Sequence, residues 1–109
     1  MKNLEISYLL DFYKNTLSEK QRDILELYYN DDLSLSEIAE IVGITRQGVR
    51  DSIKRGESQL LELEEKLMLA RKFKVIEARL GDVKKLVLDE TFENADKVIS
   101  ILDEIIDEI

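Results

Sequence analysis

Between Ser34 and Arg55 the apolar positions fall into two short helical patterns separated by a turn. Leu35, Ile38, Ala39 and Val42 recur at spacings of three and four, which gives a first helix one apolar face. Ser34 precedes it as a cap, and Glu37 stands three residues on, the spacing at which its carboxylate reaches back to the cap. Gly43 ends the helix, because a residue without Cβ enters the left-handed region at no steric cost. Ile44 plugs the turn, and Thr45 is a good N-cap for a second helix. Val49 and Ile53 turn inward on that helix and leave Arg46, Gln47, Arg50, Asp51 and Lys54 facing out. This is a helix-turn-helix layout, whose second helix can lie in a DNA major groove.

The same periodicity organises the flanks. Residues 4–14 predict a helix with Leu4, Tyr8, Leu9, Phe12 and Tyr13 on one side. Ser18 and Gln21 mark a second start, and a helix over about 19–30 buries Ile24, Leu25, Leu27 and Tyr28. Asn30-Asp31-Asp32 ends it, since these side chains bond the local backbone in turns. From residue 46 the pattern reads as one helix to residue 80, about 52 Å long, with a break near 69–72 as the alternative. Leu60, Leu63, Leu67, Ala70, Phe73, Ile76, Leu80, Val83 and Val87 continue its stripe. A last helix, starting near Asp89 or Thr91, carries Phe92, Ala95, Val98, Ile99, Leu102, Ile105, Ile106 and Ile109 on one face. The reading is an all-α fold, with a helix-turn-helix domain over 1–60 and a helical extension over 61–109. A stripe longer than a small chain can cover predicts a C2 homodimer.

Composition agrees and removes several chemistries. Proline is absent and only four glycines occur, which favours helix throughout. With no cysteine and no histidine, there is no disulfide or thiolate ligand, and neither the commonest general base nor the commonest metal ligand. Asp31-Asp32 falls at a turn, while Asp103-Glu104 and Asp107-Glu108 repeat along a solvated helix face. No catalytic, cofactor or metal site is expected, and the chain reads as a non-enzyme. No segment approaches the ~20 uninterrupted apolar residues of a membrane span, and no signal-peptide pattern opens the chain. A cytoplasmic location is the expectation.

The net charge of −8 is unusual for a nucleic-acid binder, which must neutralise phosphates. It is unevenly spread, however. Arg46, Arg50, Lys54 and Arg55 outweigh Asp51, and Arg71, Lys72, Lys74, Arg79, Lys84 and Lys85 outweigh Glu77 and Asp82. From residue 89 onward Lys97 stands alone against eight acids. The second basic stretch is expected to pair with that acidic helix.

The run LSEKQRDILELYYNDDLSLSEIAEIVGITRQGVRDSIKRGESQLLELE resembles region 4 of bacterial sigma-70-type factors. That pattern has a Leu-Ser/Thr-Glu-Lys/Arg start, a Leu-x-Glu-Ile-Ala helix and a Gly-Ile/Val-Ser/Thr-Arg turn. The resemblance covers residues 17–60. It places Thr45, Arg46 and Arg50 where those factors hold promoter phosphates and bases. Gln47 stands where they carry a Glu that reads cytosine, and Asp51 where they carry a Gln, so reading of the usual promoter element is not implied. Over its whole length the chain is similar to the YlxM family of small helix-turn-helix proteins, through YLLDFYKNTLSEKQRDILELYYNDDLSLSEIAE, ITRQGVRDSIKRGE and LLELEEKLMLARKF. That likeness implies a sigma-region-4-like module with a helical extension. The family's genes neighbour those of the signal recognition particle GTPases, which implies an accessory or regulatory role in that pathway.

The residues themselves nominate Thr45, Arg46, Gln47, Arg50 and Lys54 for contact with DNA or RNA. Arg46, Arg50 and Lys54 share one face, as phosphate-reaching cations should, and Gln47 could read an adenine edge. The alternative is an adaptor that keeps the fold for protein contacts, with signal recognition particle GTPases or RNA polymerase as its partner.

Overall fold

The computed structural model describes residues 3–89 and 95–108. Its helices are α1 (Leu4–Tyr13), α2 (Glu19–Tyr29), α3 (Leu35–Val42), α4 (Arg46–Leu67), α5 (Leu69–Val87) and α6 (Ala95–Glu108), with a 3-10 turn at Lys14–Thr16. The fold is all-α. The chain divides into two compact units, Met1–Met68 and Leu69–Ile109. The division falls later than the 60/61 boundary drawn from the sequence, because α4 runs on unbroken through residue 60.

In the first unit, α4 packs against α1, α2 and α3. The core is built from Ile6, Leu9, Leu10 and Tyr13 of α1, Ile24 and Leu25 of α2, Ile38 of α3, and Val49, Ile53 and Leu60 of α4. The face of α1 is therefore rotated from the one expected. Leu4 is 80% exposed, and Ile6 and Leu10 take the inner positions. On α2, Leu27 and Tyr28 are only half-buried. The chain turns at Asn30–Asp32, where Asp32 adopts φ 53°.

The helix-turn-helix forms as its signals dictate. The Ser34 hydroxyl accepts from the Glu37 N–H at 3.1 Å, and the Glu37 carboxylate accepts from the Ser34 N–H at 3.1 Å. Gly43 sits at φ 72°, the left-handed cap. The Gly43 and Ile44 N–H groups both donate to the Ala39 carbonyl, at 2.9 and 3.2 Å. Thr45 then caps α4, its hydroxyl accepting from the Gly48 N–H at 2.9 Å. Because the Ser34 cap satisfies a donor of α3 and receives a bond in return, Ser34→Ala lowers stability by about 1 kcal/mol in urea denaturation.

The continuous helix to residue 80 is not formed. α4 ends at Leu67, and Met68 lies in the left-handed region at φ 56° and ψ 22°, its N–H donating to the Glu64 carbonyl at 2.9 Å. The break thus comes just ahead of the 69–72 alternative. For a residue with a Cβ this conformation costs about 1–2 kcal/mol, and no local stop signal in the sequence announces the turn.

The second unit is α5 packed on α6. Arg79 and Glu104 pair across it at 2.9 Å, so the basic stretch does meet the acidic helix. Ile105 is buried, and Ile76, Val83, Val98 and Ile101 are half-buried. The last helix is described only from Ala95, and Asp89 is outside any helix. Thr91, Phe92 and Ile109 lie outside the described residues. Among the described residues, no helix is long and apolar enough to cross a membrane.

Candidate nucleic-acid interface

What the interface can do depends on how firmly α4 is held. Its inner side presents Val49, Ile53, Gly56 and Leu60, all buried. At Gly56 the approach to α2 is close: a Cβ there would come within 2.6 Å of Leu25 Cδ1 and 3.2 Å of Leu25 Cγ. Three side-chain bonds fasten the same helix to its neighbours. The Tyr13 hydroxyl donates to Glu64 Oε1 at 2.8 Å, and the Gln59 amide donates to the Thr16 carbonyl at 3.3 Å. The Tyr29 hydroxyl donates to Glu57 Oε1.

That last bond has a consequence at alkaline pH. Burial pushes the Tyr29 hydroxyl well above the usual phenol range, and the hydrogen bond to Glu57 and the Glu57 charge push it further. A phenol whose folded value is raised contributes stability that is complete below its unfolded value, about 10, and disappears as pH rises through the folded one. The wild-type chain therefore loses stability above pH ~10 more steeply than Tyr29→Phe, as denaturant titrations across the alkaline range would record.

The outer side of α4 carries the nominated residues. Thr45, Arg46, Gln47, Arg50 and Lys54 are all exposed. Arg46, Arg50 and Lys54 stand one turn apart, spanning about 12 Å of helix, a length that matches the major-groove width of ~12 Å. Among the described residues no ion pair engages these three cations. No acid occupies the first turn of α4, where Arg46 stands instead. A cation there opposes the helix dipole by about 0.3–1 kcal/mol, so its placement does not serve the helix itself. A phosphate at the same helix end would be favoured both by the dipole and by Arg46.

Gln47 and Asp51, the two departures from the sigma pattern, are bonded to each other. The Gln47 amide donates to Asp51 Oδ1 at 3.0 Å. This ties the carboxylate along its own helix and occupies one of the two amide N–H donors of Gln47, leaving the other N–H and the amide oxygen for an adenine edge. Arg46, Gln47 and Arg50 also line, with Leu35, a shallow depression of about 390 Å3 at the start of α4. The structure thus gathers the nominated side chains on one exposed surface, rich in donors and in positive charge.

Two further cations come together that the sequence does not pair. Lys20, in the first turn of α2, and Arg55, on α4, line one cleft of about 410 Å3 with Ser18, Gln21, Ile44, Gly48 and Ser52. In the sequence Arg55 adds to the local charge, and Lys20 reads only as part of a helix start. Their proximity depends on how α2 crosses α4, which no local pattern reports.

A family model described as "Putative helix-turn-helix protein, YlxM / p13 like" matches residues 1–105. The chain belongs to this family. Similar members are UPF0122 proteins of Bacillus cereus (strain AH187), Bacillus anthracis (strain A0248) and Bacillus thuringiensis subsp. konkukian (strain 97-27). Each is 46% identical over 93 residues, which span 85% of this chain and 84% of the relative. The YlxM/p13-like description is that of a helix-turn-helix protein and not of an enzyme. It agrees with the capping box, left-handed glycine and Thr45 cap seen here.

Proposed function

We propose that this chain is a non-enzymatic regulatory protein that binds nucleic acid through α4, with Arg46, Arg50 and Lys54 reaching phosphates, Thr45 steadying the helix end, and Gln47 facing the bases. One observation carries the reading: three cations without an ion-pair partner among the described residues share the exposed face of a helix that three other helices hold in place. Duplex DNA is the form that face suits, because the deep, narrow major groove of A-form RNA excludes a helix. The negative net charge does not oppose this at short range. At physiological salt the Debye length is about 8 Å, so distant acids are screened from a phosphate at α4.

The proposal extends to the signal recognition particle pathway on the family resemblance alone. It also includes a cytoplasmic location, and self-association through the helical extension so that two recognition helices act together. The test is a titration of the full chain against duplex DNA and against signal recognition particle RNA at two salt concentrations. With three phosphate contacts, log K against log salt falls with a slope of about −3. Absence of binding to either at low salt, together with retention of the signal recognition particle GTPases from a nuclease-treated lysate, would replace this reading with the adaptor.

A further inference from the structure

We infer that the α5–α6 unit packs against the same unit of a second copy of this chain, with α5 of each copy lying along α6 of the other. This deepens the self-association proposed above by assigning its surface and its arrangement.

Beside the face on which α5 and α6 meet, each helix exposes a second apolar row. On α5, Leu80 and Val87 are 49% and 52% exposed and stand seven residues apart. On α6, Ile99, Leu102 and Ile106 are 55%, 38% and 64% exposed and follow at three and four. Seven-residue and three-four repeats are the spacing of seams between helices that cross at a shallow angle. Two helices can cover one such seam between them. Covering the second takes two more helices, the number that completes a four-helix bundle.

Charge identifies the occupant and its orientation. On α5, Arg71, Lys72, Lys74, Arg79, Lys84 and Lys85 outnumber Glu77 and Asp82. On α6, Asp96, Asp103, Glu104, Asp107 and Glu108 outnumber Lys97. The unit is thus one basic and one acidic helix, a surface complementary to itself. An α5–α5 contact between copies would set like charges side by side, whereas α5 against α6 sets opposite ones together. The Arg79–Glu104 pair is the same combination within one copy. Exposed ion pairs contribute little to affinity, so the apolar rows supply the association and the charges select the arrangement.

Sedimentation equilibrium of the full chain at micromolar concentration should give twice the chain mass. The double variant Leu80→Glu/Ile106→Glu should give the monomer mass with its helical circular dichroism retained. A monomeric wild type would overturn both the self-association and this surface. A dimeric wild type with a dimeric variant would overturn the surface alone. The arrangement has its own readout, independent of how the charged variant folds. Cysteine is absent from the sequence, so a cysteine placed at Leu80 on α5 or at Leu102 on α6 is the only thiol of its chain. When Leu80→Cys and Leu102→Cys chains are mixed and oxidised, the mixed disulfide should dominate over either self-linked product. Predominant self-linking of Leu80→Cys would show α5 against α5 and overturn the inference.

Discussion

Replacing Arg46 and Arg50 together by alanine lowers the affinity of the full chain for duplex DNA about a hundredfold at low salt and reduces the salt slope by about 2. The expectation rests on position and electrostatics. Both guanidiniums lie on the exposed side of α4, and neither is engaged in an ion pair among the described residues, so neither must break a bond to reach a phosphate. A hundredfold loss corresponds to about 1.4 kcal/mol for each of the two contacts, and each neutralised phosphate adds about 0.9 to the slope. Fold stability should not fall, and it should rise by up to about 1 kcal/mol because Arg46 no longer opposes the helix dipole. Lys54→Ala should show a smaller loss of the same kind, about 1 in slope. An unchanged affinity in the double variant, with helix content intact, would remove these residues from the interface.

The largest effects on stability lie on the opposite side of the same helix. Leu25 is fully buried, and its branched end rests where a Gly56 side chain would be. Leu25→Ala should cost about 2–5 kcal/mol through lost burial and the cavity left behind, a large share of the ~5–15 kcal/mol that holds a typical domain. Gly56→Ala inserts a methyl into a contact of 2.6 Å against a side chain that is packed on all sides. Overpacking costs about 1–3 kcal/mol, while alanine gains about 1 kcal/mol of helix propensity, so the net is a loss of up to about 2 kcal/mol. In the Leu25→Ala background the methyl has room. There Gly56→Ala should stabilise by up to about 1 kcal/mol, a reversal of sign that a double-mutant cycle in urea detects. The same sign in both backgrounds would mean that the two residues are not opposed across the α2–α4 contact.

The helix-turn-helix was legible because its signals are local. Ser34 with Glu37, Gly43 and Thr45 each dictate a backbone conformation within three residues, and each takes the conformation expected. The outward set on α4 was legible for a related reason: once Val49 and Ile53 are known to be inside, helical geometry places Arg46, Arg50 and Lys54 outside. Where the outcome depended on tertiary contact, pattern alone erred or was silent. In α1 seven of the ten residues are apolar or aromatic, more than one face can hold, and Ile6 and Leu10 displaced Leu4. The stop at Met68 has no glycine, asparagine or proline to announce it. Gly56 read only as a weak point in a helix, yet a Cβ there would run into Leu25 of α2. Lys20 and Arg55 line one cleft only because α2 crosses α4 as it does.

The account depends on α4 meeting nucleic acid with its Arg46–Lys54 face, and backbone-amide chemical-shift mapping tests that most directly. Isotope-labelled full chain would be titrated with a DNA duplex at low salt, and each amide shift tracked to saturation. The account predicts that the largest shifts fall between residues 45 and 55, with amides of α5 and α6 largely unmoved. Shifts confined to residues 69–108, or saturation that leaves 45–55 unaltered, would contradict it.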